Sequence, residues 1–140
     1  MEGQKKMAVR FFFLIFGFCG LFATNQGYDF CGQHLIASYY GCDKEALNNL
    51  SQLKNKMIEA TEATKATVLS YTKEKFPGGG FSMVILLSES HSSIHTYPEY
   101  DACFIDIFTC GNTCQVEFFD KVLKAYLKPK KVNKDIFTRD

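Results

Sequence analysis

Neither sign of charge is in excess: 16 Lys and Arg stand against 15 Asp and Glu, a net charge of +1. Nucleic-acid-binding domains carry a basic footprint, so nucleic acid is excluded as a partner. Apolar runs of bilayer length are missing as well. The run from Phe11 to Ala23 has thirteen residues, where a spanning helix needs about 20. A zinc set is also incomplete. Cys110 and Cys114 make a C-x3-C pair, but no second pair or nearby histidine supplies the remaining ligands at the usual spacing, so no metal is expected. Only three prolines occur, Pro77, Pro98 and Pro129, and each falls at a break between patterned segments. There is no internal repeat or low-complexity tract. The 140 residues make one domain, large enough for a core yet small for an enzyme that must enclose a substrate. A homodimer would relieve that shortage.

Lys5, Lys6 and Arg10 precede the apolar run, the layout of a signal peptide. Leu21 and Phe22 are bulky where cleavage prefers small residues. Two outcomes stay open: export or membrane contact through residues 11–23, and retention of 1–28 as an extension of the domain at 29–140. The cysteines are Cys19, Cys31, Cys42, Cys103, Cys110 and Cys114; Cys19 lies in the apolar run, which leaves five in a trimmed chain. An odd count argues for thiols over a disulfide framework.

His34 to Tyr40 reads as a strand ended by Gly41, and Asp43 as the cap of a helix over 44–65, where Leu47, Leu50, Leu53, Met57 and Ile58 recur at helical spacing. Thr67 to Thr72 is a second strand, Phe76 to Gly80 a loop, and Phe81 to Ser88 a third and apolar strand. Ala102 to Phe108 is another, with Asp106 the odd residue in an apolar run. Glu117 to Leu127 is a second amphipathic helix stopped by Pro129, and Val132 to Thr138 adds a last edge strand. The order β-α-β-β-loop-β-α-β predicts an α+β two-layer sandwich, with helices on one face of a largely antiparallel sheet.

The loop in that order is Ser88-Glu89-Ser90-His91-Ser92-Ser93-Ile94-His95-Thr96-Tyr97-Pro98-Glu99, which gathers hydroxyls, two histidines and two carboxylates without helical periodicity. Its Glu-Ser-His-x-x-Ile-His-Thr motif closely resembles the self-processing site of the prokaryotic-type S-adenosylmethionine decarboxylases. The likeness includes Gly32-Gln33-His34-Leu35, Tyr40-Gly41-Cys42-Asp43 and the Asp106-Ile107-Phe108-Thr109-Cys110-Gly111 block. It covers roughly four fifths of the chain.

The resemblance implies cleavage between Glu89 and Ser90, giving residues 1–89 and a chain derived from 90–140 headed by a pyruvoyl group made from Ser90. That group would form a Schiff base with S-adenosylmethionine and accept electrons as carbon dioxide leaves. The product would donate aminopropyl groups for spermidine and polyamine synthesis. Carried over by motif, His95 assists processing, Cys110 is the proton donor, Phe76 and Tyr97 sandwich the adenine, Glu99 holds the ribose hydroxyls, and Ser82 lies near the processing site. Taken alone, Ser90 is a turn hydroxyl, His95 a hydrogen-bonded loop residue and Cys110 a small buried hydrophobe. Their combination at matching spacing assigns the chemistry. His91 and Cys114 read as structural, and Cys103 as core.

Gln33 stands where the family usually has Arg, Tyr97 where it has Trp, and the Gly78 to Met83 region differs from the usual Gly-x-Ser-Gly. The alternatives are a pyruvoyl-dependent ornithine or arginine decarboxylase, and an unprocessed homologue that regulates an active partner. A nucleoside substrate and a reduced Cys110 both point to the cytoplasm or an organelle interior, against the signal-like start.

Overall fold

A computed structural model describes residues 31–111 and 113–140. The expected extension at 1–28, with its apolar run and Cys19, lies outside them. Strand β1 (Gly32–Tyr40) alternates cleanly, burying Leu35, Ala37 and Tyr39 on one face. Two helices follow where one was expected, α1 (Lys44–Asn48) and α2 (Leu50–Ala63). Asp43 caps the first by accepting from the Ala46 amide at 2.9 Å, and Asn49 caps the second by accepting from Gln52 at 3.2 Å. An Asn whose side chain competes for backbone donors breaks a helix internally, which periodicity alone does not reveal. Then come β2 (Val68–Lys75), β3 (Phe81–Leu87), β4 (Ser90–Tyr97), a 3-10 turn at Pro98–Tyr100, β5 (Ala102–Thr109), α3 (Glu117–Leu127) and β6 (Lys131–Arg139).

The strands form one antiparallel sheet in the order β2-β3-β4-β5-β1-β6. Helices cover one face, where Leu47, Leu53, Met57, Phe119, Leu123 and Leu127 bury against Leu35, Met83, Ile85, Ile94 and Ile107. This is the expected α+β sandwich, with β6 at an edge. Cys103 is fully buried, as expected of a core residue, and the five described cysteines are all free thiols. A buried polar network ties α3 to the sheet. The Tyr39 hydroxyl donates to Asp120 at 2.6 Å, and Lys134 Nζ donates to the other carboxylate oxygen at 2.7 Å. Burial pushes the Tyr39 hydroxyl far up and the Asp120 contact adds to it, so the phenol stays a donor.

A second expectation fails: Ser90 to Tyr97 is a paired strand, not an irregular loop. Its inward positions include Ser92 and Thr96, which conceal the period-2 pattern. Both are buried because both are hydrogen-bonded, Ser92 Oγ with Thr61 Oγ1 at 2.9 Å and Thr96 Oγ1 with the Phe81 amide at 2.9 Å. The outward positions His91, Ser93, His95 and Tyr97 join a sheet face with no helix on it. Ile36, Val84, Leu86, Phe104 and Phe137 stand exposed on that same face.

Candidate active site

The turn between β3 and β4 is only Ser88-Glu89, so the Glu89–Ser90 bond lies where the chain enters β4. Strand pairing sets Ser90 opposite Thr109, which brings Cys110 alongside. The Cys110 amide donates to the Glu89 carbonyl oxygen at 3.1 Å. The Glu89 carboxylate accepts from the Thr67 amide at 2.9 Å. Burial alone would push that carboxyl up, but hydrogen bonds from Ser88 and Thr67 outweigh it and hold it below its ordinary value. Two glycines allow close packing here. A Cβ on Gly32 would stand 2.8 Å from the Thr109 carbonyl oxygen and 3.0 Å from Cys110 Sγ, and one on Gly111 would stand 2.5 Å from Cys114 Sγ. Beside them is a cavity of about 570 Å³ lined by Gly32, Gln33, Cys110 and Cys114, among others.

The remaining expected site residues gather elsewhere. Ser82 on β3 pairs with His95 on β4, and Ser82 Oγ meets His95 Nδ1 at 2.5 Å. Phe76, Ser82, His95, Tyr97 and Glu99 together line a cavity of about 300 Å³ near the far end of β4. The Tyr97 ring packs edge-on against Phe104, with centroids 5.4 Å apart. Strands rise about 3.3 Å per residue, so Ser90 and His95 stand about 16 Å apart along one strand. The expected constellation is therefore two clusters within a chain: Glu89, Ser90 and Cys110 at one end, and the aromatic, histidine and carboxylate group towards the other.

A third grouping was not anticipated. Ser90 Oγ meets His91 Nδ1 at 3.1 Å, and His91 Nε2 meets Asp106 Oδ2 at 3.2 Å. His34 Nε2 reaches the same oxygen at 3.3 Å, while Ser93 Oγ donates to Oδ1. These imidazole and carboxylate atoms all lie within 4.8 Å of one another, a spacing that the shared carboxylate accounts for. The signal was available in Asp106, a charge inside an apolar strand. Its partners became visible only through the register, which sets Ser93 against Asp106.

An α+β two-layer decarboxylase is the class of protein to which this fold belongs. Residues 33–140 match the family model described as S-adenosylmethionine decarboxylase. The S-adenosylmethionine decarboxylase proenzyme of Thermotoga petrophila is 41% identical over 102 residues, 73% of this chain and 78% of that one. The proenzyme of Brevibacillus brevis is 42% identical over 104 residues, 74% and 78% of the two chains. The crystal structure of the Aquifex aeolicus adenosylmethionine decarboxylase superposes with a TM-score of 0.70 at 28% identity, covering 76% of this chain and 88% of that one. The chain belongs to the S-adenosylmethionine decarboxylase family.

Proposed function

We propose that the chain cuts itself between Glu89 and Ser90 and then decarboxylates S-adenosylmethionine, making an aminopropyl donor for polyamine synthesis. The observation that carries this is the Glu89–Ser90 peptide itself, set at a two-residue turn with its carbonyl already accepting the Cys110 N–H at 3.1 Å. An N–H aimed at a carbonyl oxygen stabilises the negative charge that develops there when a nucleophile adds. The surroundings fit a group made from Ser90, because Gly32 and Gly111, where a Cβ would stand 3.0 Å from Cys110 Sγ and 3.1 Å from Glu89 Cγ, let Cys110 and the Glu89 turn close in on it. A pyruvoyl ketone there supplies an electron sink for loss of carbon dioxide. Cys110 Sγ holds the proton that the substrate carbon takes up, Phe76 and Tyr97 offer faces to an adenine ring, and Glu99 offers a bidentate acceptor to a ribose diol.

The two clusters stand too far apart along β4 to serve one substrate within one chain. A homodimer joined through the helix-free sheet face answers this, with Ser90 and Cys110 of one copy meeting His95, Phe76, Tyr97 and Glu99 of the other. The apolar side chains exposed on that face support the arrangement. By symmetry such a dimer holds two complete sites. The chemistry needs a reduced Cys110, which supports a reducing compartment; among the described residues no helix is long and apolar enough to cross a membrane. The family match favours S-adenosylmethionine over ornithine or arginine.

Intact mass before and after borohydride reduction with S-adenosylmethionine present tests the reading. Two fragments split at Glu89/Ser90, the smaller gaining a substrate-derived mass, are expected. A single uncut chain would end the proposal in favour of a silent homologue.

A further inference from the structure

We infer that His91 is the base that starts self-cleavage and that Asp106 is its positioning residue, an inference that rests on Glu89–Ser90 being the bond cut. The side chain hydrogen-bonded to Ser90 Oγ among the described residues is His91, through Nδ1 at 3.1 Å. Its other nitrogen faces Asp106 Oδ2 at 3.2 Å. A carboxylate on Nε2 holds the proton there and leaves Nδ1 with a lone pair, the tautomer that can accept from a hydroxyl. Nucleophile, imidazole and orienting carboxylate thus stand in one line of contacts, the arrangement that activates serines in unrelated folds.

Asp106 is itself fixed. Ser93 donates to Oδ1, and His34 Nε2 contacts Oδ2 at 3.3 Å. The His34 ring rests against Phe108 and Phe137, with centroids 5.4 and 5.3 Å away. An acidic side chain between Ile105 and Ile107 has no packing role of its own, and this cluster gives it one.

The step balances without a co-reactant. As Ser90 Oγ adds to the Glu89 carbonyl carbon, its proton moves to His91 Nδ1 and the carbonyl electron pair moves onto the oxygen that the Cys110 N–H holds. When the tetrahedral centre collapses, the bond from carbon to the Ser90 nitrogen breaks, and that nitrogen takes the proton back from His91. An amide has become an ester. His95, on Ser82 and remote from Ser90 within the chain, is left with the later removal of the Ser90 Cα proton. The two histidines divide two proton transfers between them.

The test uses the full-length chain and follows cleavage by mass, with hydroxylamine added to cut any ester at Glu89. His95→Ala is expected to accumulate hydroxylamine-cleavable chain. His91→Gln is expected to remain intact in hydroxylamine and to self-cleave about 10²- to 10⁴-fold more slowly, the usual worth of a general base. Asp106→Asn is expected to slow ester formation in the same way. His91→Gly should recover cleavage when imidazole is added, a rescue that a purely structural histidine would not show. A folded His91→Gln chain that forms ester at the parent rate overturns the inference, as does a folded His91→Gly chain that imidazole leaves unmoved. An uncut parent chain sinks the cleavage site itself, which is a separate failure.

Discussion

The Cys110 backbone amide donates to the carbonyl oxygen of Glu89 at 3.1 Å, so the residue assigned as proton donor also holds, through its main chain, the carbonyl next to Ser90. Side chain and backbone of one residue are thereby given to two different stages. Cys110→Ala keeps the amide and removes the thiol. It should self-cleave like the parent yet turn over about 10²- to 10⁴-fold more slowly, whereas Ser90→Ala should stay one inactive chain. Fragment masses and a carbon dioxide release assay check both.

Splitting the site between two copies predicts complementation. Ser90→Ala and His95→Ala should each remain uncut alone. Expressed together, mixed dimers contain one site with both Ser90 and His95 intact, and the His95→Ala chains should then be cut. Mass spectrometry identifies which chain is cleaved, and no cleavage in the mixture would place the whole site within one subunit.

The Glu89 carboxyl should give the hairpin an acid-labile anchor. Its folded value lies below the ordinary 4.5, so its contribution to stability is fully present above 4.5 and is lost as pH falls through the lower folded value. In the uncut Ser90→Ala background, Glu89→Gln should melt lower than its parent at neutral pH. The gap should close in acid. A gap independent of pH would remove the carboxylate as its cause.

Asp120 receives Tyr39 and Lys134 while only 4% exposed. Asp120→Ala strands a buried hydroxyl and a partly buried ammonium, and should cost about 3 kcal/mol. Denaturant titration of the Ser90→Ala chain measures this without interference from cleavage.

Much of the architecture was legible because both long amphipathic helices and the apolar strands carry their period openly. The helix break was not, since Asn49 acts through a side-chain cap rather than through hydrophobicity. The reading of Ser90 to Tyr97 as a loop failed because buried Ser92 and Thr96 satisfy their hydroxyls on Thr61 and on the Phe81 amide, and so pass for solvent-facing residues. Motif spacing named the site residues but not the distances between them, and extended backbone carries Ser90 and His95 about 16 Å apart. His91 was set aside as structural because its partners, Asp106 and His34, come from β5 and β1 and meet it only once the register is known.

The strand order has a consequence for the chain once it is cut. The proposed cleavage at Glu89/Ser90 would leave β1, β2 and β3 on one piece and β4, β5 and β6 on the other, yet the sheet runs β2-β3-β4-β5-β1-β6. The seams β3–β4, β5–β1 and β1–β6 all join different pieces, with β1 held between two strands of the other fragment. Breaking that one covalent bond at a hairpin tip would therefore interlock two polypeptides instead of releasing them. The mature subunit should come apart only when the whole sheet does.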